Sequence, residues 1–179
     1  MVPNDATGEN IILTGFMGTG KSTVGRIVAD LLDYDFLDTD SVIESRYGTV
    51  PEIFAEHGEE GFRDVEHKVA MDLADRSGLV IATGGGLMLN PDNVAVLSSS
   101  GRVFCLVANA DEIYDRLRNS RKERPLIQVD NPMQRIIELM GERKDRYDQF
   151  PQVQTDGRTQ NEVAAEIAQR MSEPNTARY

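Results

Sequence analysis

The chain has 179 residues, of which 40% are hydrophobic and 27% charged, a balance that excludes a disordered chain and supports one compact domain. Its 19 Lys and Arg residues against 30 Asp and Glu residues give a net charge of −11, which argues against a nucleic-acid or membrane partner. The single cysteine, Cys105, excludes an intrachain disulfide, and the polar first ten residues lack the apolar stretch of a signal peptide. We therefore expect a cytoplasmic protein with a buried, inert thiol, in which any anionic ligand needs a local basic patch.

Short apolar runs alternate with longer amphipathic stretches along the chain. The runs predict five strands, at residues 10–14, 35–37, 79–82, 102–107 and 152–154. After the first run, apolar residues from Val24 to Leu32 recur with the spacing of one helix face. Further helices are predicted at about residues 41–47, 50–57, 59–75, 90–97, 111–118, 132–148 and 161–171, and residues 172–179 should fray. This alternation indicates an α/β fold with a parallel sheet covered on both faces, which binds ligands at the carboxyl ends of its strands.

A glycine-rich loop follows the first strand. Residues 15–22 read G-F-M-G-T-G-K-S, which matches G-x-x-x-x-G-K-[ST] between a strand and a helix, the context that this motif needs. Backbone N–H groups of such a loop point at phosphate oxygens, Lys21 would reach the β- and γ-phosphates, and Ser22 would bind Mg²⁺. A plain turn with a solvated lysine is the alternative that this context disfavours. We predict an ATP and Mg²⁺ site formed by Gly18, Thr19, Gly20, Lys21, Ser22 and Thr23.

Two carboxylates follow the second strand. Strand alternation would place Asp38 and Asp40 on the same side, beside the glycine-rich loop. The arrangement suits one carboxylate that holds Mg²⁺ through water and one that accepts a proton from an attacking hydroxyl. Capping of the next helix is the alternative.

Two further features accompany these motifs. Arg63 and Glu66 have i, i+3 spacing on a predicted helix, so the glutamate can hold the guanidinium in place, although an ordinary surface ion pair has the same spacing. Gly84, Gly85 and Gly86 follow the third strand, where they allow a ligand to approach main-chain N–H groups, although a plain turn would also use them.

The segment 119–131 is polar, basic and without helical periodicity. Together with the end of the preceding helix it provides five positive side chains within nine residues, which are Arg116, Arg118, Arg121, Lys122 and Arg124. A solvated face is the usual explanation of such a run. Because this run lies in a predicted mobile loop of an acidic chain, we favour a lid over about residues 116–131 that closes over a triphosphate and excludes water.

In this order, the motifs resemble those of the shikimate kinase family over residues 10–171. The resemblance is carried by the glycine-rich loop, Asp38-Thr39-Asp40, Phe62-Arg63-Asp64-Val65-Glu66, Gly84 to Gly86, Arg124-Pro125-Leu126, and Glu142-Arg143 followed by Tyr147. It implies a P-loop NTPase fold of the nucleoside monophosphate kinase type, with a five-stranded parallel sheet in the order 2-3-1-4-5 and a substrate-binding helical region at about residues 38–68. It also implies transfer of the ATP γ-phosphoryl group to the 3-hydroxyl of shikimate, a step of aromatic amino-acid biosynthesis, with Mg²⁺ as cofactor.

The resemblance also implies roles for single residues. Asp40 would contact the reacting hydroxyl, Asp38 would support Mg²⁺, and Arg124 would reach phosphate. Arg63 and Arg143 would hold the substrate carboxylate. On the substrate side, Gly85 and Gly86 would line the pocket, and Phe54 and Phe62 would pack on the apolar face of the ring. On the nucleotide side, Arg116 or Arg118 would stack on adenine, and Arg158 is a further candidate. Residues 145–151 depart from the usual family pattern, which bears on how the helix ends and how Arg143 packs.

Two other functions stay open at this point. A kinase for another small hydroxy acid, such as gluconate, would use the same two arginines on its carboxylate. A nucleotide-binding protein without turnover would be expected to lack Asp40, Arg63 or Arg143, and all three are present. In each case we expect a monomeric single domain of residues 1–179.

Overall fold

The computed structural model describes residues 8–119 and 127–174. Its strands are β1 (Asn10–Gly15), β2 (Asp35–Asp38), β3 (Leu79–Ala82), β4 (Gly101–Val107) and β5 (Gln152–Gln154). They form one parallel sheet in the order β2-β3-β1-β4-β5, which confirms the predicted order. In this register Ile12 of the central strand pairs with Ile81 on one side and Val103 on the other.

Helices connect these strands and cover both faces of the sheet. Within the described ranges they are α1 (Lys21–Leu32), α2 (Thr39–Tyr47), α3 (Val50–Ala74), α4 (Pro91–Ser100), α5 (Ala110–Arg118), α6 (Pro132–Tyr147) and α7 (Gln160–Ser172), with a short 3₁₀ helix at Leu87–Leu89. The two helices predicted at 50–57 and 59–75 meet at a kink within α3, where the backbone of Gly58 is not helical, with φ 68° and ψ −170°. No helix in these ranges is long and apolar enough to cross a lipid bilayer.

Alternate side chains of the strands enter two separate hydrophobic cores. Ile12 and Cys105 belong to the core under α2 to α6, whereas Ile11 and Leu13 belong to the core under α1 and α7. All four side chains are completely buried, which explains why the strand sequences are almost continuously apolar. The prediction of a buried cysteine is confirmed, and burial raises the pKa of the Cys105 thiol to about 12.

The parallel arrangement brings five chain segments to the carboxyl edge of the sheet. They are the glycine-rich loop after β1, the start of α2 after β2, the glycine triplet after β3, the start of α5 after β4 and Thr155 after β5. Residues 120–126, which include Arg121, Lys122 and Arg124, lie outside the described residues, as do residues 175–179. The predictions for the lid, for Arg124 and for the frayed tail therefore stay predictions.

Candidate active site

A cavity of about 270 Å³ lies at the carboxyl edge of the sheet. It is lined by the glycine-rich loop, both predicted carboxylates, part of the glycine triplet and one arginine of the basic segment. The lining residues are Met17, Gly18, Gly20, Lys21, Ser22, Thr23, Asp38, Asp40, Thr83, Gly84, Gly85, Arg116 and Leu117. Residues that are far apart in the chain thus come together where a parallel sheet ordinarily binds its ligand.

The glycine-rich loop is held by bonds to its own carbonyl groups. Gly20 precedes the first turn of α1 with a φ of 93°, a left-handed conformation that favours glycine. Lys21 Nζ donates to the carbonyl oxygens of Gly15 at 2.8 Å and of Phe16 at 2.9 Å. Thr19 is buried, and its hydroxyl donates to the Phe16 oxygen at 2.8 Å. The buried Thr19 side chain therefore stabilises the loop, while Gly18 and Gly20 line the cavity.

The two carboxylates share the cavity with the glycine-rich loop, as predicted, but strand alternation is not what places them there. Strand β2 ends at Asp38, and Asp40 is already the second residue of α2. Asp38 Oδ1 accepts the backbone N–H of Asp40 at 3.1 Å, and its other oxygen accepts the Ser22 hydroxyl at 2.6 Å. Asp38 thus caps the helix and also faces the glycine-rich loop, while the helix turn points Asp40 into the cavity.

The glycine triplet gives Asp40 and Arg63 direct contact with backbone. A Cβ atom on Gly84 would overlap Asp40 Oδ1, and one on Gly86 would lie 2.9 Å from Arg63 Nη1. Thr39 Oγ1 accepts the backbone N–H of Gly84 at 2.8 Å, which ties the start of α2 to the triplet. The absence of side chains at these positions allows a carboxylate and a guanidinium to lie against the same short segment.

A buried glutamate holds Arg63. Arg63 Nη1 donates to Glu66 Oε2 at 2.6 Å, and the Glu66 side chain is only 3% exposed. Burial raises the pKa of Glu66, whereas its bond to Arg63 acts in the opposite direction. Burial alone would lower the pKa of Arg63, but the bonds to Glu66 and Glu59 raise it. The pair is therefore no ordinary surface ion pair, because Glu66 loses its contact with water and fixes one side of the guanidinium.

Arg143 reaches the same triplet from α6. Its Nη1 atom donates to the carbonyl oxygen of Gly85 at 3.2 Å, and its guanidinium carbon lies 5.7 Å from the centre of the Phe16 ring. Tyr147, one helical turn later, donates its hydroxyl to the same Gly85 oxygen at 2.9 Å. Despite the atypical residues 145–151, α6 continues through Tyr147 and presents Arg143 to the site.

The two phenylalanines lie side by side on α3. Their ring centroids are 4.9 Å apart, with Phe62 buried and Phe54 40% exposed. The guanidinium of Arg63 lies 5.6 Å from the Phe62 ring. The structure thus places an apolar surface next to Arg63.

The three adenine-side candidates lie in different places. Arg116 lines the cavity and donates to Gly18 O at 3.4 Å and to Thr155 Oγ1 at 3.0 Å. Arg118 is exposed at the end of α5. Arg158 does not line the cavity, because its guanidinium binds Glu166 at 2.5 Å and carbonyl groups around the start of α7. Of the three, Arg116 is the one that the structure brings to the site.

A sequence model described as shikimate kinase matches residues 17–172, most of the chain. The chain belongs to the shikimate kinase family. The shikimate kinase of Thermodesulfovibrio yellowstonii is 44% identical over 161 residues, which are 89% of this chain and 92% of that protein. The resemblance seen in the motifs is thereby confirmed.

Solved structures of this family share the fold. The shikimate kinase from Acinetobacter baumannii in complex with shikimate is 37% identical, with a TM-score of 0.85, over 94% of this chain and 97% of that chain. A gluconokinase from Sinorhizobium meliloti, 15% identical over 92% of each chain, has a TM-score of 0.60, which shows only that the fold is shared. These structures and the sheet order confirm the predicted P-loop kinase fold.

Two residues of this shikimate kinase site had no role assigned from sequence. Thr39 stands between the two aspartates, and its bond to Gly84 depends on a segment 45 residues away. Tyr147 follows Arg143 by four residues on a helix, a spacing that places two side chains on one face. That spacing is the signal that would have linked Tyr147 to Arg143.

Because a Cβ atom on Gly84 would overlap Asp40 Oδ1, Gly84→Ala should displace this carboxylate while leaving the fold intact. A displacement on the order of 1 Å costs up to about 10²-fold in rate, so we expect kcat to fall by about 10- to 100-fold. The control is Gly141→Ala on α6, where a Cβ atom would meet nothing within 4 Å. Steady-state kinetics and thermal melting check both variants, and an unchanged kcat for Gly84→Ala would contradict the tight packing of Asp40.

Proposed function

We propose that this protein is an ATP-dependent kinase that transfers the γ-phosphoryl group of ATP to the 3-hydroxyl of shikimate. One observation carries the proposal beyond family membership. Asp40, Arg63 and Arg143 all lie against the same glycine triplet, at the edge of the cavity formed by the glycine-rich loop. A proton acceptor and two carboxylate-binding groups are thus held beside a phosphate site.

The reaction needs little covalent chemistry from the protein. A bond forms between the substrate hydroxyl oxygen and the γ-phosphorus, the bond from that phosphorus to the ADP oxygen breaks, and Asp40 takes the hydroxyl proton. Lys21 lies at the start of α1, where its ammonium group offsets charge on the phosphoryl oxygens. We also assign a phosphate contact to Arg124, which is supported by the family resemblance alone.

Ser22 and Asp38 are the residues that would hold Mg²⁺. Their oxygens lie 2.6 Å apart on the cavity wall, and a hydroxyl with a carboxylate is a donor set that suits a hard cation. In the described part of the chain no three His, Cys, Asp or Glu side chains group as a metal site. This fits a cation that proteins usually hold by one or two side chains together with phosphate and water. When bound, Mg²⁺ would neutralise charge on the β- and γ-phosphates.

Arg63 and Arg143 are the groups that we assign to the shikimate carboxylate. Each guanidinium offers paired donors that match a carboxylate, and each is held by a partner, Glu66 for Arg63 and the Gly85 carbonyl for Arg143. We place adenine beside Arg116, which is supported by its position on the cavity wall. With this activity the protein would act in aromatic amino-acid biosynthesis, as a cytoplasmic monomer.

We expect Arg63→Ala and Arg143→Ala each to raise KM for shikimate by about tenfold or more, the scale of one lost charged hydrogen bond. KM for ATP should change much less. Loss of this remote contact should also lower kcat, because it orients the hydroxyl. Arg46→Ala is the control, since Arg46 forms an exposed ion pair with Asp72 outside the cavity. A normal shikimate KM in either arginine variant would remove that arginine from the carboxylate site.

A coupled assay of ADP release with Mg-ATP tests the function itself. The acceptors are shikimate, shikimate methyl ester and gluconate, each over a range of concentrations. We expect shikimate to have the highest kcat/KM and the ester to be a poor substrate, because it lacks the carboxylate charge. Preference for gluconate would replace the proposal by the second kinase function, and no turnover with any acceptor would contradict a kinase.

A further inference from the structure

Tyr147 and Arg143 converge on one carbonyl group. They lie four residues apart on α6, and both donate to Gly85 O, the tyrosine hydroxyl at 2.9 Å and the guanidinium at 3.2 Å. Tyr147 is only 7% exposed. Because a carbonyl oxygen has two lone pairs, it accepts both bonds at once and fixes the glycine triplet against α6.

The two donors are not equivalent, because only one of them has a second task. In the proposed complex Arg143 must direct donors to the substrate carboxylate. If the guanidinium turns away from Gly85, the partly buried carbonyl keeps a partner only because the Tyr147 hydroxyl remains in place. Leaving such a group unpaired is unfavourable, so the hydroxyl removes a penalty on substrate binding.

We propose that the Tyr147 hydroxyl is a positioning group for shikimate binding, which acts by holding the Gly85 carbonyl so that Arg143 is available to the substrate carboxylate. The inference rests on the proposed assignment of Arg143 to that carboxylate. Tyr147 does not line the cavity that contains Lys21 and Asp40, and its effect passes through Gly85 and Arg143.

The surroundings of the phenol support a role for its hydroxyl separate from that of its ring. The ring lines a second cavity of about 100 Å³, together with Phe16 and Thr19 of the glycine-rich loop. Burial raises the pKa of Tyr147, although Arg143 acts to lower it, so the hydroxyl keeps its proton at neutral pH and donates. A phenylalanine would preserve the ring contacts and remove the hydroxyl, with its bond to Gly85 and its contact with Arg143.

The test compares Tyr147→Phe with Tyr34→Phe, a matched loss of a hydroxyl from a half-buried tyrosine in the core under α1 and α7. We expect Tyr147→Phe to raise KM for shikimate by about three- to tenfold, the scale of one neutral hydrogen bond. KM for ATP and the melting temperature should change little, and Tyr34→Phe should leave both KM values unchanged. A general structural loss would instead raise both KM values and lower the melting temperature.

A double-mutant cycle with Arg143→Met shows whether the hydroxyl acts through the arginine. Tyr147→Phe should then have no further effect on the shikimate KM, and an equal effect in both backgrounds would overturn the inference. A normal shikimate KM for Tyr147→Phe beside an impaired Arg143→Met would also overturn it. If Arg143→Met itself binds shikimate normally, the proposed carboxylate site fails instead.

One further measurement keeps the inference testable if Tyr147→Phe melts at a lower temperature. The kcat/KM for shikimate is divided by that for its methyl ester. Loss of the Arg143 contact should lower this ratio by about three- to tenfold, the same hydrogen-bond scale, whereas a loosened fold should lower both values together and leave the ratio unchanged. An unchanged ratio overturns the proposed role.

Discussion

Replacing Lys21 by methionine should lower kcat by about 10²- to 10³-fold, the effect of removing one fixed donor from developing charge. The lysine ammonium is held by hydrogen bonds to the Gly15 and Phe16 carbonyl groups of the glycine-rich loop. Methionine keeps most of the aliphatic stem and removes the charge. The ADP-release assay measures the loss, and calorimetric titration of Mg-ATP separates weaker nucleotide binding from slower transfer.

Lys68→Met is the control for this change of charge. Lys68 is exposed on α3 and does not line the cavity, so its loss should leave kcat and KM within about twofold, since such surface substitutions usually have small effects. A Lys21→Met variant with nearly normal turnover would contradict the assignment of residues 15–22 as the phosphate site. Thermal melting of the variant distinguishes loss of the fold from loss of phosphoryl transfer.

Asp40→Asn should lower kcat by about 10²-fold or more, as is typical when a general base is lost. Asparagine has nearly the same shape, so it still fits against Gly84, but it cannot take the hydroxyl proton. Binding of Mg-ATP should change little, because the Asp38 and Ser22 side chains remain in the cavity. Pre-steady-state measurement of ADP formation reports the transfer step directly.

Asp92→Asn provides a closely matched control. Asp92 is the second residue of α4, as Asp40 is the second residue of α2, but it is exposed and outside the cavity. A shared effect of charge at a helix start would therefore appear in both variants, whereas a catalytic effect would appear only in Asp40→Asn. Normal turnover of Asp40→Asn would move the proton-accepting role to another group.

The phosphate loop was predictable because its signal is local. Eight consecutive residues contain the glycines, the lysine and the serine, and the strand and helix on either side follow from apolar spacing over short windows. The sheet order is not local, and it came from the family resemblance. Strand hydropathy alone is compatible with several orders, because every strand in a doubly covered sheet is apolar.

The position of Asp40 shows where local patterns fail. Alternation along a strand predicted its direction, but the chain leaves the strand at Asp38, which caps the next helix through its own side chain. Arg158 shows the converse case, since nothing local distinguishes it from an arginine on the adenine side of the site. Glu166, eight residues later on α7, takes its guanidinium and draws it to the helix instead of the cavity.

By itself the sequence determined the α/β class, the phosphate loop and, through its motifs, the family. These properties depend on residue type and on spacing within one element. The tertiary structure alone decided that Arg63 and Arg143 meet at one glycine triplet, that Arg116 and not Arg158 reaches the cavity, and that Tyr147 shares a carbonyl with Arg143. Each of these facts is a contact between segments tens of residues apart, and such contacts form only when the packed sheet brings its carboxyl ends together.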